Sequence, residues 1–311
     1  MRKEEFYFDS RDGESRVYAV RYLPDTDTVT CIVQILHGAA EHMGRYEEFA
    51  KFLTDRGMVV TGEDHLGHGK TVKKDGMLGY FCENDPATVV VRDVHRLKKM
   101  TQEQYPGVPY VVYGHSMGSF MLRNYICRYG KGISGAIISG TGNYAKGALN
   151  AGKAIVAVQK KLKGSKHISK RLNDVVFFNN NKDFEPARTP VDWFSKDVAK
   201  VDAYMADPLC GFSFPLNGME TLFELISGMD DREAMAQIPK DLPILVVSGA
   251  KDPVGENGKA VQEVYDSLKE VGVLSVTKTL FDDDRHEILN ETDRDDVMKK
   301  LYDWITEAVL A

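Results

Sequence analysis

The stretch VPYVVYGHSMGSF, residues 108–120, changes character at a single serine. Val108, Tyr110, Val111, Val112 and Tyr113 form the short apolar run of a buried strand, and Phe120, Met121 and Leu122 begin a helical pattern directly after it. Between them lie Gly114, His115, Ser116, Met117 and Gly118, a G-x-S-x-G at a strand-to-helix junction. So tight a turn leaves no room for side chains two before and two after the serine, which accounts for Gly114 and Gly118. Ser116 is then carried at the carboxyl end of a sheet strand, where α/β proteins place their ligand crevices.

The same alternation runs outward in both directions. TCIVQILHG (30–38) and GMVVTGEDHLGHG (57–69) are strands with following loops, and RYEEFAKFLTDRG and DPATVVVRDVHRLKKMTQEQYPG are amphipathic helices. ISGAIISG, DLPILVVSGA and LSVTKTLFDDD are further strands, and DRDDVMKKLYDWITEAVL is a closing helix. Strands alternating with helices at this spacing predict an α/β fold with a mostly parallel central sheet and helices on both faces. Two early strands around RDGE predict an antiparallel hairpin at the sheet edge. Residues 142–215 break the rhythm with helical patches and clustered aromatics. They read as an inserted, mainly helical cap between core segments 1–141 and 216–311. Phe177, Phe178 and Trp193 are its candidates for the substrate pocket.

A serine hydroxyl needs a base, and the base needs an orienting acid. On this fold the order is serine, acid, histidine, each beyond a later strand. Asp252 follows PILVVSGA and His286 follows LSVTKTLFDDD, so Ser116, Asp252 and His286 are the candidate catalytic residues. Asp282, Asp283 and Asp284 compete for the acid role but lie too near His286. An oxyanion hole needs two backbone N–H donors. Met117, after the serine, supplies one; Ala39, in the small-residue loop HGAAEH, is the choice for the other.

Three lookalikes fail on spacing. GKT (69–71) has Asp64 where a phosphate-binding loop needs glycine, and GTGNYA (140–145) lacks an acid about 20 residues on. HEILN has Asn290 where a zinc motif needs its second histidine. The chemistry requires no metal and no cofactor.

HGAAEHMGRY (37–46), DHLGHGKT (64–71), GHSMGS (114–119), SGAKDPVG (248–255) and RHEILNE (285–291) together resemble the α/β-hydrolase superfamily. Within it they look like the monoacylglycerol lipase/lysophospholipase-like group, whose domain is labelled a serine aminopeptidase S33-type hydrolase. The resemblance implies the same five residues: Ser116, Asp252 and His286 as triad, Ala39 and Met117 as oxyanion donors. It implies a serine hydrolase of carboxylic esters such as monoacylglycerols or lysophospholipids. A proline-iminopeptidase-like aminopeptidase remains an alternative on the same fold, and a non-catalytic relative is a third. Thr71 and Ser119 stand where the group has serine and often glycine.

The bulk numbers frame the partners. A net charge of −6 over 311 residues argues against nucleic acid. MRKEEFYFDSRDGE holds no apolar run, and the four scattered cysteines read as reduced thiols of a cytoplasmic protein. From Gln104 to Asn173 there is no Asp or Glu. Within that span Ala148, Ala151, Ile155, Val158 and Leu162 share one helical face, with Lys153, Lys160 and Lys161 on the other. The simpler reading turns the apolar face toward the active site and the lysines to solvent; the other lays the helix on an anionic lipid surface.

Overall fold

Alternate residues of each central strand serve opposite cores. In the computed structural model, which describes residues 1–26 and 28–311 apart from the side chains of Phe178 and Asn179, eight strands form one sheet. They are β1 (Arg2–Asp9), β2 (Arg16–Leu23), β3 (Cys31–Leu36), β4 (Met58–Glu63), β5 (Tyr110–His115), β6 (Gly135–Ser139), β7 (Ile244–Gly249) and β8 (Val276–Phe281). The order across the sheet is β1-β2-β4-β3-β5-β6-β7-β8. The β1–β2 hairpin and the β2–β4 pairing are antiparallel, and every later pairing is parallel.

Ten helices accompany the strands among the described residues: α1 (Glu47–Thr54), α2 (Pro86–Gln104), α3 (Met117–Tyr129), α4 (Lys146–Lys163), α5 (Lys170–Asn173), α6 (Val198–Ala206), α7 (Leu216–Met229), α8 (Arg232–Met235), α9 (Lys259–Glu270) and α10 (Arg294–Ala308). Tyr110 and Val112 of β5 join a core with α2, α3, α7 and α9. Val111 and Tyr113 point the other way, into a core closed by Phe49 and Leu53 of α1 and Leu301 and Ile305 of α10. That period-2 division is the pleat acting on a strand covered on both faces. Of these helices, α1, α2, α3 and α10 are predicted by the alternation in the sequence; α7 is not.

The chain leaves the sheet after β6 and returns at β7. Within that excursion α4 packs on α7, but with a face the sequence reading did not choose. Ile155, Val158 and Leu162 are 48%, 60% and 76% exposed. Val156 is buried instead, and Leu149 packs beside it. The reason is local. A Cβ at Gly152 would lie 3.0 Å from the Phe223 ring, so glycine lets α4 close onto α7 along that line. Lys160, expected in solvent, then meets Glu220 of α7 at 2.6 Å.

Two close backbone approaches account for the glycines of the serine turn. A Cβ on Gly114 would lie 2.4 Å from the Gly118 carbonyl oxygen, and one on Gly118 would lie 2.1 Å from that of Leu36. In each case a side-chain carbon would run into a backbone carbonyl. Gly118→Ala must therefore push α3 away from β3. We expect it to cost at least the 1–3 kcal/mol of an overpacked core, read as a lower midpoint in urea unfolding. At Gly147 on α4 a Cβ would meet nothing within 4 Å, so Gly147→Ala should stabilise by about 0.4–1 kcal/mol. Equal midpoints for the two variants would contradict this account of the turn.

Candidate active site

Three strand ends deliver the three candidate side chains. Ser116 sits between β5 and α3 with φ 52° and ψ −120°, outside the regions a non-glycine residue ordinarily occupies. Asp252 follows β7 and His286 follows β8, and both are fully buried. His286 Nδ1 and Asp252 Oδ1 are 3.0 Å apart. Val254 N–H also donates to Asp252 Oδ1, at 2.9 Å, and Ser248 Oγ donates to Oδ2 at 2.7 Å. These partners occupy the carboxylate and turn one edge of it to the imidazole.

The electrostatics agree with the geometry. Burial alone would raise the Asp252 carboxyl; the His286 charge and the bonds from His286, Ser248 and Val254 outweigh it and hold it below its usual range. Burial alone would lower His286; Asp252 outweighs that by charge and hydrogen bond, with help from Glu287 and Glu41, and the ring is raised. The competing acids are engaged elsewhere. Asp283 is exposed and pairs with Lys251, Asp284 pairs with Lys196, and Asp282 is exposed.

Ser116 and His286 line one cavity of about 240 Å³. The core lines it with residues 38–41, 115–116 and 286–287. Its other walls come from the excursion, including Phe177, Val191, Trp193, Met205 and Phe212. Of the three pocket candidates, Phe177 and Trp193 line this cavity, and Phe178 lies outside the described side chains. Trp193 lies against His286, with ring centroids 4.9 Å apart and planes inclined by 40°. Among the described residues no hydrogen bond joins Ser116 Oγ to His286, a gap that catalytic hydrogen bonds commonly close only around substrate.

In the loop after β3 the amides on either side of Ala39 are already engaged. Gly38 N–H donates to Glu41 Oε1 at 2.5 Å, and Ala40 N–H donates to His68 Nε2 at 3.3 Å. Burial pushes His68 down to about 3, and its Nδ1 serves the Leu66 carbonyl, so Nε2 is free to accept. Among the described residues the N–H groups of Ala39 and Met117 have no protein acceptor. One of these unused donors opens α3 directly after Ser116, and Ala39 lines the same cavity as the serine. Such an arrangement can stabilise an oxyanion.

The excursion grips this loop. Tyr204 Oη and Gly211 N–H both donate to the Ala40 carbonyl at 3.0 Å. His42, Asp207 and Cys210 bring ligand-type atoms within 4.8 Å of one another. His42 Nδ1 accepts from Gly44 N–H, however, so Nε2 carries the proton and donates to Asp207 at 2.9 Å. That tautomer makes a clasp, not a metal site. The sequence reading missed Glu41, Arg45, Tyr204 and Glu287. The signals were the i,i+4 spacing of Glu41 and Arg45 and a glutamate directly after His286. DHLGHGKT also has a structural explanation: Asp64 accepts from Met43 N–H and Lys70 N–H, and Gly69 is needed because a Cβ would lie 2.1 Å from Asp64 Oδ2.

A family profile described as serine aminopeptidase S33 matches residues 27–293. The chain belongs to that family. A monoacylglycerol lipase of Mycolicibacterium smegmatis is 30% identical over 307 residues, covering 97% of both chains. A mouse monoglyceride lipase is 24% identical over 296 residues, covering 94% of this chain and 87% of its own. Among solved structures, a thermostable carboxyl esterase from Bacillus coagulans in complex with glycerol superposes with TM-score 0.92, at 29% identity and 99% coverage of each chain. The fold is that of an α/β-hydrolase of the monoacylglycerol lipase-like group, and the chain is a carboxylic ester hydrolase.

The buried pair yields a direct test. In the intact protein the His286 ring should titrate above 6.5, its ordinary value. Asp252→Asn removes the largest influence raising it, so its midpoint in an NMR titration should fall. Asp283→Asn should leave it where it was. A His286 midpoint that ignores Asp252→Asn would show that the two side chains are not electrostatically paired.

Proposed function

We propose that this protein hydrolyses monoacylglycerols and related single-chain acyl esters, lysophospholipids among them, through an acyl-enzyme on Ser116. His286 Nε2 takes the Ser116 proton as Oγ attacks the ester carbonyl. Asp252 keeps the other proton on Nδ1 and stabilises the imidazolium. Charge on the carbonyl oxygen falls to the N–H groups of Ala39 and Met117. His286 then protonates the leaving alcohol, and water repeats the sequence to release the acid.

The observation that carries this reading is the cavity. Ser116 and His286 meet walls that the excursion makes mostly apolar, with Phe177, Val191, Trp193, Phe194, Met205 and Phe212, as an acyl chain requires. The Bacillus coagulans esterase was solved with glycerol, the alcohol that monoacylglycerol hydrolysis would release. An aminopeptidase would need carboxylates free to hold an α-amine. Glu41 and Glu287, on the cavity wall, are both bound to Arg45. Asp197 caps α6, and Asp202 pairs with Arg188.

Residues 142–215 act in this reading as a cap that shapes the acyl pocket and touches the lipid source. Ile155, Val158 and Leu162 form an exposed apolar line on α4. Exposed Lys161, Lys163, Lys166, Lys170 and Arg171 lie along and after it, in a span without acids. That combination suits an anionic lipid surface. Among the described residues no helix is long and apolar enough to cross a membrane. The four cysteines are free thiols, which supports a reducing, cytoplasmic setting.

On a panel of monoacylglycerols, lysophospholipids and aminoacyl anilides, turnover should be confined to the esters. Asp252→Asn should lower it by about 10⁴-fold. Preferential cleavage of the anilides would favour the aminopeptidase instead. For the cap, Val158→Asp with Leu162→Asp should reduce co-sedimentation with phosphatidylserine vesicles while sparing a soluble butyrate ester. Unchanged sedimentation would remove the lipid contact from the reading.

A further inference from the structure

Arg45 stands where three parts of the chain meet. Its Nη1 donates to Glu41 Oε2 at 2.6 Å and to Glu287 Oε1 at 2.7 Å, and its Nη2 donates to Glu287 Oε2 at 2.6 Å. The guanidinium also lies over the Tyr204 ring, 4.8 Å from its centroid. Both carboxylates are buried, at 3% and 6% exposure.

Each carboxylate leads to a different catalytic loop. Glu41 Oε1 accepts from Gly38 N–H, the amide before the Ala39 donor, and from Tyr46 Oη at 2.8 Å. Glu287 is the residue after His286, and its N–H donates to the Phe194 carbonyl at 2.7 Å. One guanidinium therefore spans from the loop after β3 to the loop after β8. A fork of fixed geometry can set that distance in a way a point charge cannot.

The charges do not cancel. Two carboxylates around one guanidinium leave one net negative charge beside the cavity. The groups facing His286 are Asp252 from the loop after β7, Glu287 from its own loop, Glu41 from the loop after β3, and His115 from β5 with ring centroids 4.7 Å apart. Burial pushes His115 down to about 4, so it brings no charge at neutral pH. The excursion presents the rings of Trp193 and Phe194. The cation that this surplus can meet is the imidazolium of His286. Stability by itself gives little reason for such a triad, since apolar replacements of buried ion clusters are often as stable.

We propose that Arg45 is a positioning residue of the ester hydrolysis, fixing the spacing between the oxyanion loop and His286 through Glu41 and Glu287, and that the net charge of this triad favours the imidazolium. The proposal rests on His286 being the base on Ser116, as argued above.

The test uses the full-length enzyme and a soluble p-nitrophenyl butyrate. Arg45→Lys keeps the charge and loses the fork. The kcat should fall about 10- to 100-fold, the worth of one or two charged hydrogen bonds, with KM little changed. Glu287→Gln keeps the shape and removes a negative charge facing the ring. Its kcat/KM should show the acid limb displaced to lower pH, because His286 then loses its proton more readily. Fluorophosphonate labelling of Ser116 should slow in step in Arg45→Lys. If both variants keep the parent kcat and acid limb, the proposal is overturned, whether or not their melting temperatures fall. If the parent enzyme itself is not labelled at Ser116, the underlying catalytic assignment fails instead.

Discussion

The approach of Gly118 to the Leu36 carbonyl is the constraint on which the rest of the site depends. A Cβ there would lie 2.1 Å from that oxygen, so α3 begins against the end of β3 with nothing between. The contact fixes the elbow, and with it the left-handed φ of Ser116. It also brings the loop after β3 beside the loop after β5: a Cβ on Gly38 would lie 3.2 Å from the Ser116 Cβ. Strand pairing continues the arrangement. β5, β6, β7 and β8 lie side by side and parallel, so their carboxyl ends carry Ser116, Gly140, Asp252 and His286 in a row. Gly140, at φ 58°, keeps the space beside His286 open; a Cβ there would lie 3.1 Å from the ring.

The excursion between β6 and β7 closes over this row and is bonded to the loops after β3 and β8. Tyr204 and Gly211 hold the Ala40 carbonyl, at a residue with φ 53°. Glu291 holds the other end: it accepts from Arg285 N–H, Ser195 Oγ and Lys196 N–H. The pocket walls and the catalytic loops are therefore one hydrogen-bonded unit. Substitutions in the excursion should be felt at Ser116 as well as in acyl-chain preference.

Much of this was legible in the sequence because the governing forces were local. The serine turn announces itself through two glycines and a change of hydrophobic period, and the candidate acid and base follow from their places after later strands. Asp252 could be preferred to Asp283 and Asp284 on chain geometry, and the structure shows Lys251 and Lys196 occupying those two. What was not legible came from distant partners. The periodicity of α4 revealed an apolar face but not its direction, which Phe223 and Glu220 decide from α7. Arg45 read as one basic residue of a motif; its meaning depends on Glu287, 242 positions away. Likewise Tyr204 gave no sign that its hydroxyl serves the Ala40 carbonyl.

The central claim is that the acyl group passes through Ser116. Rapid quenching of the enzyme during turnover of a p-nitrophenyl ester, followed by peptide mass spectrometry, tests it directly. The account predicts the added acyl mass on the peptide containing Ser116, accumulating with a burst of nitrophenol. An acyl group found instead on Cys210 or Ser119, with Ser116 unmodified through steady turnover, would contradict it.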